Sequence, residues 1–147
     1  MSTATIELPW PPTVNHYWQS VVRGRRVWVR VSDEGNAYRS VVGDIVRQTF
    51  PGLTQPILSR LSVYIVASPP DRRRRDLDNI LKSLLDALTA SGVWGDDSQI
   101  DSLYIDRGEV ETGGRVIVAI SAIKGTNHAV ASRTPRSKVT EEPSGQY

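Results

Sequence analysis

Leu77, Ile80, Leu81, Leu84, Leu85 and Leu88 recur at intervals of three and four residues. Such an apolar stripe is buried only when an α-helix lays one face against a core. Gly92 supplies the stop. The flanks of the stripe restrict it further. Ahead of it stand Asp71, the four arginines Arg72, Arg73, Arg74 and Arg75, and then Asp76-Leu77-Asp78-Asn79. Behind it, Gly92-Val93-Trp94-Gly95 leads into Asp96-Asp97. One helix is therefore bracketed by carboxylates and opened by a cationic run.

The rest of the chain is read around that helix. Thr5 to Leu8 alternates as a short strand, and Pro9, Pro11 and Pro12 then stop regular structure, leaving Asn15-His16-Tyr17-Trp18 on a loop or strand entry. Arg25 to Val31 alternates charge with Val and Trp after Gly24, as one arm of a hairpin does. Ser32 or Asp33 caps a second helix carrying Tyr38, Val41, Val42, Ile45 and Val46, which Pro51-Gly52 ends. Ile57 to Val66 reads as a central strand. Gln99 to Val110 and Arg115 to Ile123 read as two strands joined antiparallel through Glu111-Thr112-Gly113-Gly114. The order predicts a single α+β domain over residues 1–124, a mixed sheet covered by two helices. Residues 125–147 turn to Ser, Thr, Pro and charge without apolar periodicity, the composition of a disordered tail.

Composition narrows the chemistry. With 147 residues there is room for one core, and with no cysteine there is neither a disulfide framework nor a thiolate metal site. That suits a reducing, cytoplasmic setting and turns any metal toward oxygen ligands. No apolar run approaches membrane length. The net charge of +2 hides two basic clusters, Arg23, Arg25, Arg26 and Arg30, and Arg72 to Arg75. Local charge is what a phosphate backbone meets.

The acids allow two accounts. If the chain is extended at Asp76 and Asp78, both carboxylates project from one face about 7 Å apart and can hold a hydrated cation. Otherwise Asp78 caps the helix and Asp76 pairs with an arginine. Asp96-Asp97 is either a solvated turn or a further part of the same acidic set. Several carboxylates around one helix fit Mg²⁺ or Mn²⁺, and arginines beside them fit a polyanion, so the stretch reads as a metal-dependent nuclease site. A helix of about 20 Å carries Asp97 away from Asp76, so convergence requires a loop that runs back along the helix, a shorter helix, or a partner subunit; a return within one chain is the expectation. Lys82 shares a face with Asp78 and Asp86, either as an ion-pair ladder or as a charge near a reacting phosphate. Trp18, Trp28 and Tyr17 either stack on bases or fill core. The competing classes are a non-catalytic DNA-binding module with structural acids and a nucleotide hydrolase; steep salt dependence of binding separates DNA from nucleotide.

PWPPTVNHYW, DRRRRDLDNILKSLLDAL and GVWGDDSQI, in that order, closely resemble the RusA family of Holliday-junction resolvases, over about Ile6 to Ile123. The resemblance implies a RusA-like homodimeric endonuclease, often phage- or prophage-encoded, that binds a four-way junction and cuts two opposed strands with Mg²⁺ or Mn²⁺. By position it implies Asp76, Asp78 and Asp97 as metal-binding carboxylates and Lys82 as the catalytic lysine. Asp96 aligns with a less critical acid. Asn15, Asn79, Arg72 to Arg75, Arg25 and Arg26 form the expected DNA-contacting set. The Trp/Val-rich segment Arg23 to Val31 and the tail depart from the common pattern.

Overall fold

In the computed structural model, which describes residues 2–124, four strands form one sheet, and period-two burial gives three of them a dry face. Strand β1 (Thr3–Pro9) turns Ile6 and Leu8 inward. A one-turn helix α1 (Val14–Tyr17) follows, then β2 (Trp18–Arg23) and β3 (Arg26–Val31), which pair as a separate two-stranded sheet across a Gly24-Arg25 turn. Helix α2 (Asp33–Thr49) is capped by Ser32, whose side chain accepts from the Gly35 N–H at 3.0 Å. After it come β4 (Leu61–Ser68), α3 (Asp78–Ala90), a 3-10 turn (Asp97–Gln99), β5 (Ile100–Arg107) and β6 (Arg115–Ala122).

The large sheet runs β1-β6-β4-β5, with β6 antiparallel to both neighbours and β5 parallel to β4. Leu61, Val63, Ile65 and Ala67 of β4 and Val116, Val118 and Ile120 of β6 join the β1 residues in the core. The two long helices complete it. Tyr38, Val42 and Val46 come from α2, and Ile80, Leu84, Leu85 and Leu88 from the expected stripe on α3. This is the mixed α+β sheet with two helices that the order of elements predicts. No helix among the described residues is long and apolar enough to cross a membrane. The expected tail, 125–147, lies outside the described residues.

Three expectations are corrected. The strands at 99–110 and 115–123 do not form a hairpin: β6 inserts between β1 and β4, and β5 pairs with β4 instead. A parallel pair needs a crossover of a dozen or more residues, and α3 supplies it; alternation marks a strand but not its partner. The central strand begins at Leu61 rather than Ile57, which makes only an isolated parallel bridge to Trp94. Finally, Asn15 to Tyr17 belong to a helical turn, closed by the His16 and Tyr17 N–H groups on the Thr13 carbonyl, and Trp18 opens β2.

The end of α3 decides where the second acidic pair goes. Gly92, at φ +79°, donates to the Thr89 carbonyl, and Val93 reaches back to Leu88. This is the left-handed helix stop that glycine accommodates at little cost. The chain then dives inward. Trp94 is fully buried, with its Nε1 donating to Thr89 Oγ1 at 2.7 Å.

Candidate active site

Asp76 and Asp78 stand where the chain has left the carboxyl end of β4 and enters the N-terminus of α3, the end whose partial positive charge favours anions. Leu77 adopts right-handed helical angles (φ −65°, ψ −33°), and the Asn79 N–H reaches the Asp76 carbonyl at 3.3 Å. The acids therefore sit on a turn rather than on extended chain. Asp78 is the first helical residue and not the cap, because Leu77 occupies the cap position without a side-chain bond. Both structural roles weighed for these residues, capping and arginine pairing, are absent. Asp76 and Asp78 are exposed, and neither makes a side-chain hydrogen bond or ion pair among the described residues.

The arginine run has a different acid. Arg75 grips both oxygens of Asp71, Nη1 on Oδ1 and Nη2 on Oδ2 at 3.0 Å. The Arg73 N–H donates to Oδ1 at 2.9 Å, with its guanidinium 3.8 Å away. The Arg75 contact above all holds the Asp71 carboxyl down to about 2. Arg72 and Arg74 have no acidic partner among the described residues. Arg74, Arg75, Asp76 and Asn79 line a cleft of about 390 Å³, closed by Trp10, Thr13 and Ile80.

Lys82 projects one turn further along α3. The ion-pair ladder with Asp78 and Asp86 does not form; the ammonium lies 5.6 Å from the Trp18 ring centroid. With Asn15, Val14, Trp18, Gln19, Ser20 and Val29 it lines a second cleft of about 760 Å³. Ser83, fully buried one residue later, donates to the Pro12 carbonyl at 2.6 Å. That contact fastens the PWPP segment to α3, and the helical turn after it brings Asn15 to the same cleft as Lys82.

Asp86 belongs to a knot that the sequence alone conceals. Arg39 on α2 donates to it through Nη2 at 2.6 Å and Nε at 3.0 Å. The Tyr17 hydroxyl of α1 also donates to it, and Arg39 Nε lies 2.7 Å from that hydroxyl. Burial first, and the Asp86 carboxylate next, push the Tyr17 hydroxyl up to about 12. Three segments far apart in sequence thus lock α1 against both long helices. The i+4 spacing of Asp86 from Lys82 was the only sequence signal, and it pointed to the wrong partner.

The second acidic pair divides. Asp96 caps the 3-10 turn, accepting from the Ser98 N–H at 2.8 Å, and those bonds lower its pKa. Gln99 completes the box with bonds from the Gly95 and Asp96 N–H groups at 2.9 Å. Asp97 is raised, by burial first and then by Asp96, with the charge of Asp86 adding to it. The 3-10 turn that carries Asp97 packs against α3, within reach of the charge of Asp86. Eight residues of helix, about 12 Å, separate Asp86 from Asp78. Among the described residues no three carboxylates or imidazoles lie close enough to hold one ion, so the expected meeting of Asp76, Asp78 and Asp97 within one chain is not formed.

The family model described as "Endodeoxyribonuclease RusA" matches residues 9–121 of this chain. A protein of Escherichia coli strain K12 named "Crossover junction endodeoxyribonuclease RusA" is 42% identical over 123 residues, covering 82% of this chain and 96% of its own. Its counterpart from Enterobacteria phage HK97 is 42% identical over 117 residues, 80% of this chain and 92% of that protein. The one from Enterobacteria phage 82 is 41% identical over 123 residues.

Proposed function

The chain belongs to the RusA family of endodeoxyribonucleases, and from that premise we propose that it resolves four-way DNA junctions by paired, Mg²⁺-dependent phosphodiester hydrolysis, with Mn²⁺ as a substitute. The observation that supports this best is the division among the acids before α3. Asp71 takes Arg73 and Arg75, while Asp76 and Asp78 stand exposed beside them, unpaired among the described residues. Acids with only a structural role would have a structural partner.

Asp76, Asp78 and Asp97 are the residues that would hold the cation. Their chemistry fits: all donors are carboxylate oxygens, and burial first, then the neighbouring Asp96, disfavours the charged form of Asp97, a penalty that a bound cation would relieve. When bound, such a cation activates water for in-line attack and offsets charge on the non-bridging oxygens, leaving 5′-phosphate and 3′-hydroxyl ends. Lys82, the catalytic lysine, faces the wider cleft and offsets the extra negative charge of the transition state. Arg72 and Arg74, without an acidic partner among the described residues, take backbone phosphates, and Arg73 and Arg75 join them. Asn15, Asn79, Arg25 and Arg26 complete the DNA contacts. Two opposed cuts need two sites related by a dyad, so the working form is a C2 homodimer. It acts in the bacterial cytoplasm, whether host- or phage-encoded.

Strand mapping on a synthetic four-way junction, with linear duplex and EDTA controls, tests the proposal. Symmetric nicks at the branch in Mg²⁺ are expected. Junction binding in EDTA with no nicking in Mg²⁺ would make the chain a binding module with structural acids. Mixing Asp76→Asn with Asp97→Asn subunits, each inactive alone, settles how the third carboxylate arrives: recovered cutting means a shared site, and none means a loop shift within one chain.

A further inference from the structure

The β2–β3 hairpin is exposed on both sides from Val22 to Arg30. Its register sets Gln19 opposite Arg30, Val21 opposite Trp28 and Arg23 opposite Arg26, and cross-strand partners share a face. That face is cationic with a tryptophan at its centre, and Arg30 donates to Gln19 Oε1 at 3.1 Å. Arg23, Arg25 and Arg26 have no acidic partner among the described residues. The opposite face carries Ser20 with Val29, and Val22 with Val27. Those three valines are 62–66% exposed. A two-stranded ribbon is marginal in water, and solvent-facing valines do nothing to stabilise it.

The valine face has a definite aim. Trp18, Ser20 and Val29 of that face, with Gln19 at the ribbon's base, wall the 760 Å³ cleft that also contains Lys82 and Asn15, and Val22 and Val27 continue the face beyond it. A strand that leaves the Lys82 cleft along this face therefore meets Val29 first and then Val22 and Val27, and whatever passes the other side meets arginine. The base of the hairpin is anchored. Ser32 donates its N–H to the Tyr17 carbonyl at 2.8 Å and its hydroxyl to the His16 carbonyl. Gly35 lies so close beneath that a Cβ there would come within 2.6 Å of the Tyr17 carbonyl oxygen. The ribbon thus keeps its station relative to α3.

Nucleic acid offers both chemistries at once, apolar base surfaces and phosphates. In duplex DNA the base faces are hidden by stacking, and they become available where stacking is interrupted. We propose that the β2–β3 hairpin reads the branch point: Val22, Val27 and Val29 contact nucleobases unstacked at the crossover, while Arg23, Arg26 and Arg30 hold phosphates of the adjoining arm. The assignment rests on the nuclease reading of the Lys82 cleft and names the structural feature that cleft selects.

The test uses the full chain in EDTA with four-way junctions carrying 2-aminopurine at the branch or within an arm, beside linear duplex. The unaltered chain should brighten the branch probe and leave the arm probe unchanged. The near-isosteric Val22→Thr, Val27→Thr, Val29→Thr triple variant should lose that signal. Its preference for junction over duplex should fall about tenfold, with duplex affinity kept, since stacking-type base contacts are lost but charge is not. The Arg23→Gln, Arg26→Gln, Arg30→Gln variant should instead weaken junction and duplex alike and flatten the salt dependence. Circular dichroism and the single Val27→Thr variant guard against misfolding. An unchanged junction preference in the Thr variant would overturn the proposal. So would its dissociation to a smaller species by light scattering, which would make the valine face a contact between two copies. Cutting is scored separately in Mg²⁺. Failure of the unaltered chain to cut would count against the nuclease reading, while the EDTA binding data still decide the hairpin's role.

Discussion

Two sets of acids crowd the same helix and live differently. Asp71 and Asp86 are held by guanidinium groups, one in the loop before α3 and one on the helix flank. Asp76 and Asp78 lie between them in sequence and have no such partner among the described residues. A carboxylate with a cation already in place contributes to folding; one left open beside arginines contributes nothing to folding and is available for substrate or metal. The difference separates paired from open acids within sixteen residues, and every substitution below probes it.

The largest effect should come from the open pair. Asp76→Asn or Asp78→Asn should cut junction cleavage by about 10²–10³-fold or more, the scale of losing a main electrostatic contributor. Unfolding free energy should move by less than about 0.5 kcal/mol, and junction binding should stay equal or tighten because a repelling charge is gone. A stability loss above that range, read by chemical denaturation, would break the comparison.

Asp86→Asn should behave oppositely. Losing charged hydrogen bonds from Arg39 and Tyr17 should cost about 1.5–3 kcal/mol of stability, visible as a lowered urea midpoint at unchanged slope. Cleavage at low temperature should survive in large part.

Asp97 stands between the groups and sharpens the contrast. Its pKa is raised in the folded chain, so its ionised form is disfavoured by folding. That penalty is present above the folded pKa and disappears below the unfolded one. Asp97→Asn should therefore raise the melting temperature at pH 7, by an increment that shrinks as pH falls through the carboxylate range, while cleavage is lost.

The smallest effect belongs to Asp71. Its depressed pKa of about 2 means that its contribution is present above the ordinary carboxylate pKa and is lost as pH falls toward 2. The stability gap between the unaltered chain and Asp71→Asn should be small at pH 5 and vanish near pH 2, and high salt should narrow it at every pH.

Much of this was legible in the residues because the signals are local. The leucine stripe located α3, Ser32 and Gly92 marked helix ends, and alternation found the arm at Arg26–Val31. The acidic candidates followed from residue type and proximity to arginine. What escaped depends on long-range partners. Alternation could not say that β5 would choose β4 or that β6 would enter between β1 and β4, because neighbours in a sheet are set by crossovers rather than by pattern. Asp86 looked like a mate for Lys82 until the fold delivered Arg39 and Tyr17 from distant segments. The turn at Leu77 escaped too, since a leucine in the cap position has no signature of its own.

The last strand of the described sheet is its keystone. β1, emerging first, joins the other strands only through β6, so the sheet cannot close until residue 122 has left the ribosome. Until then Ile6 and Leu8 have no sheet to join, and the core they help to fill stays incomplete. Any activity that needs the closed sheet therefore waits for β6, the strand that is made last.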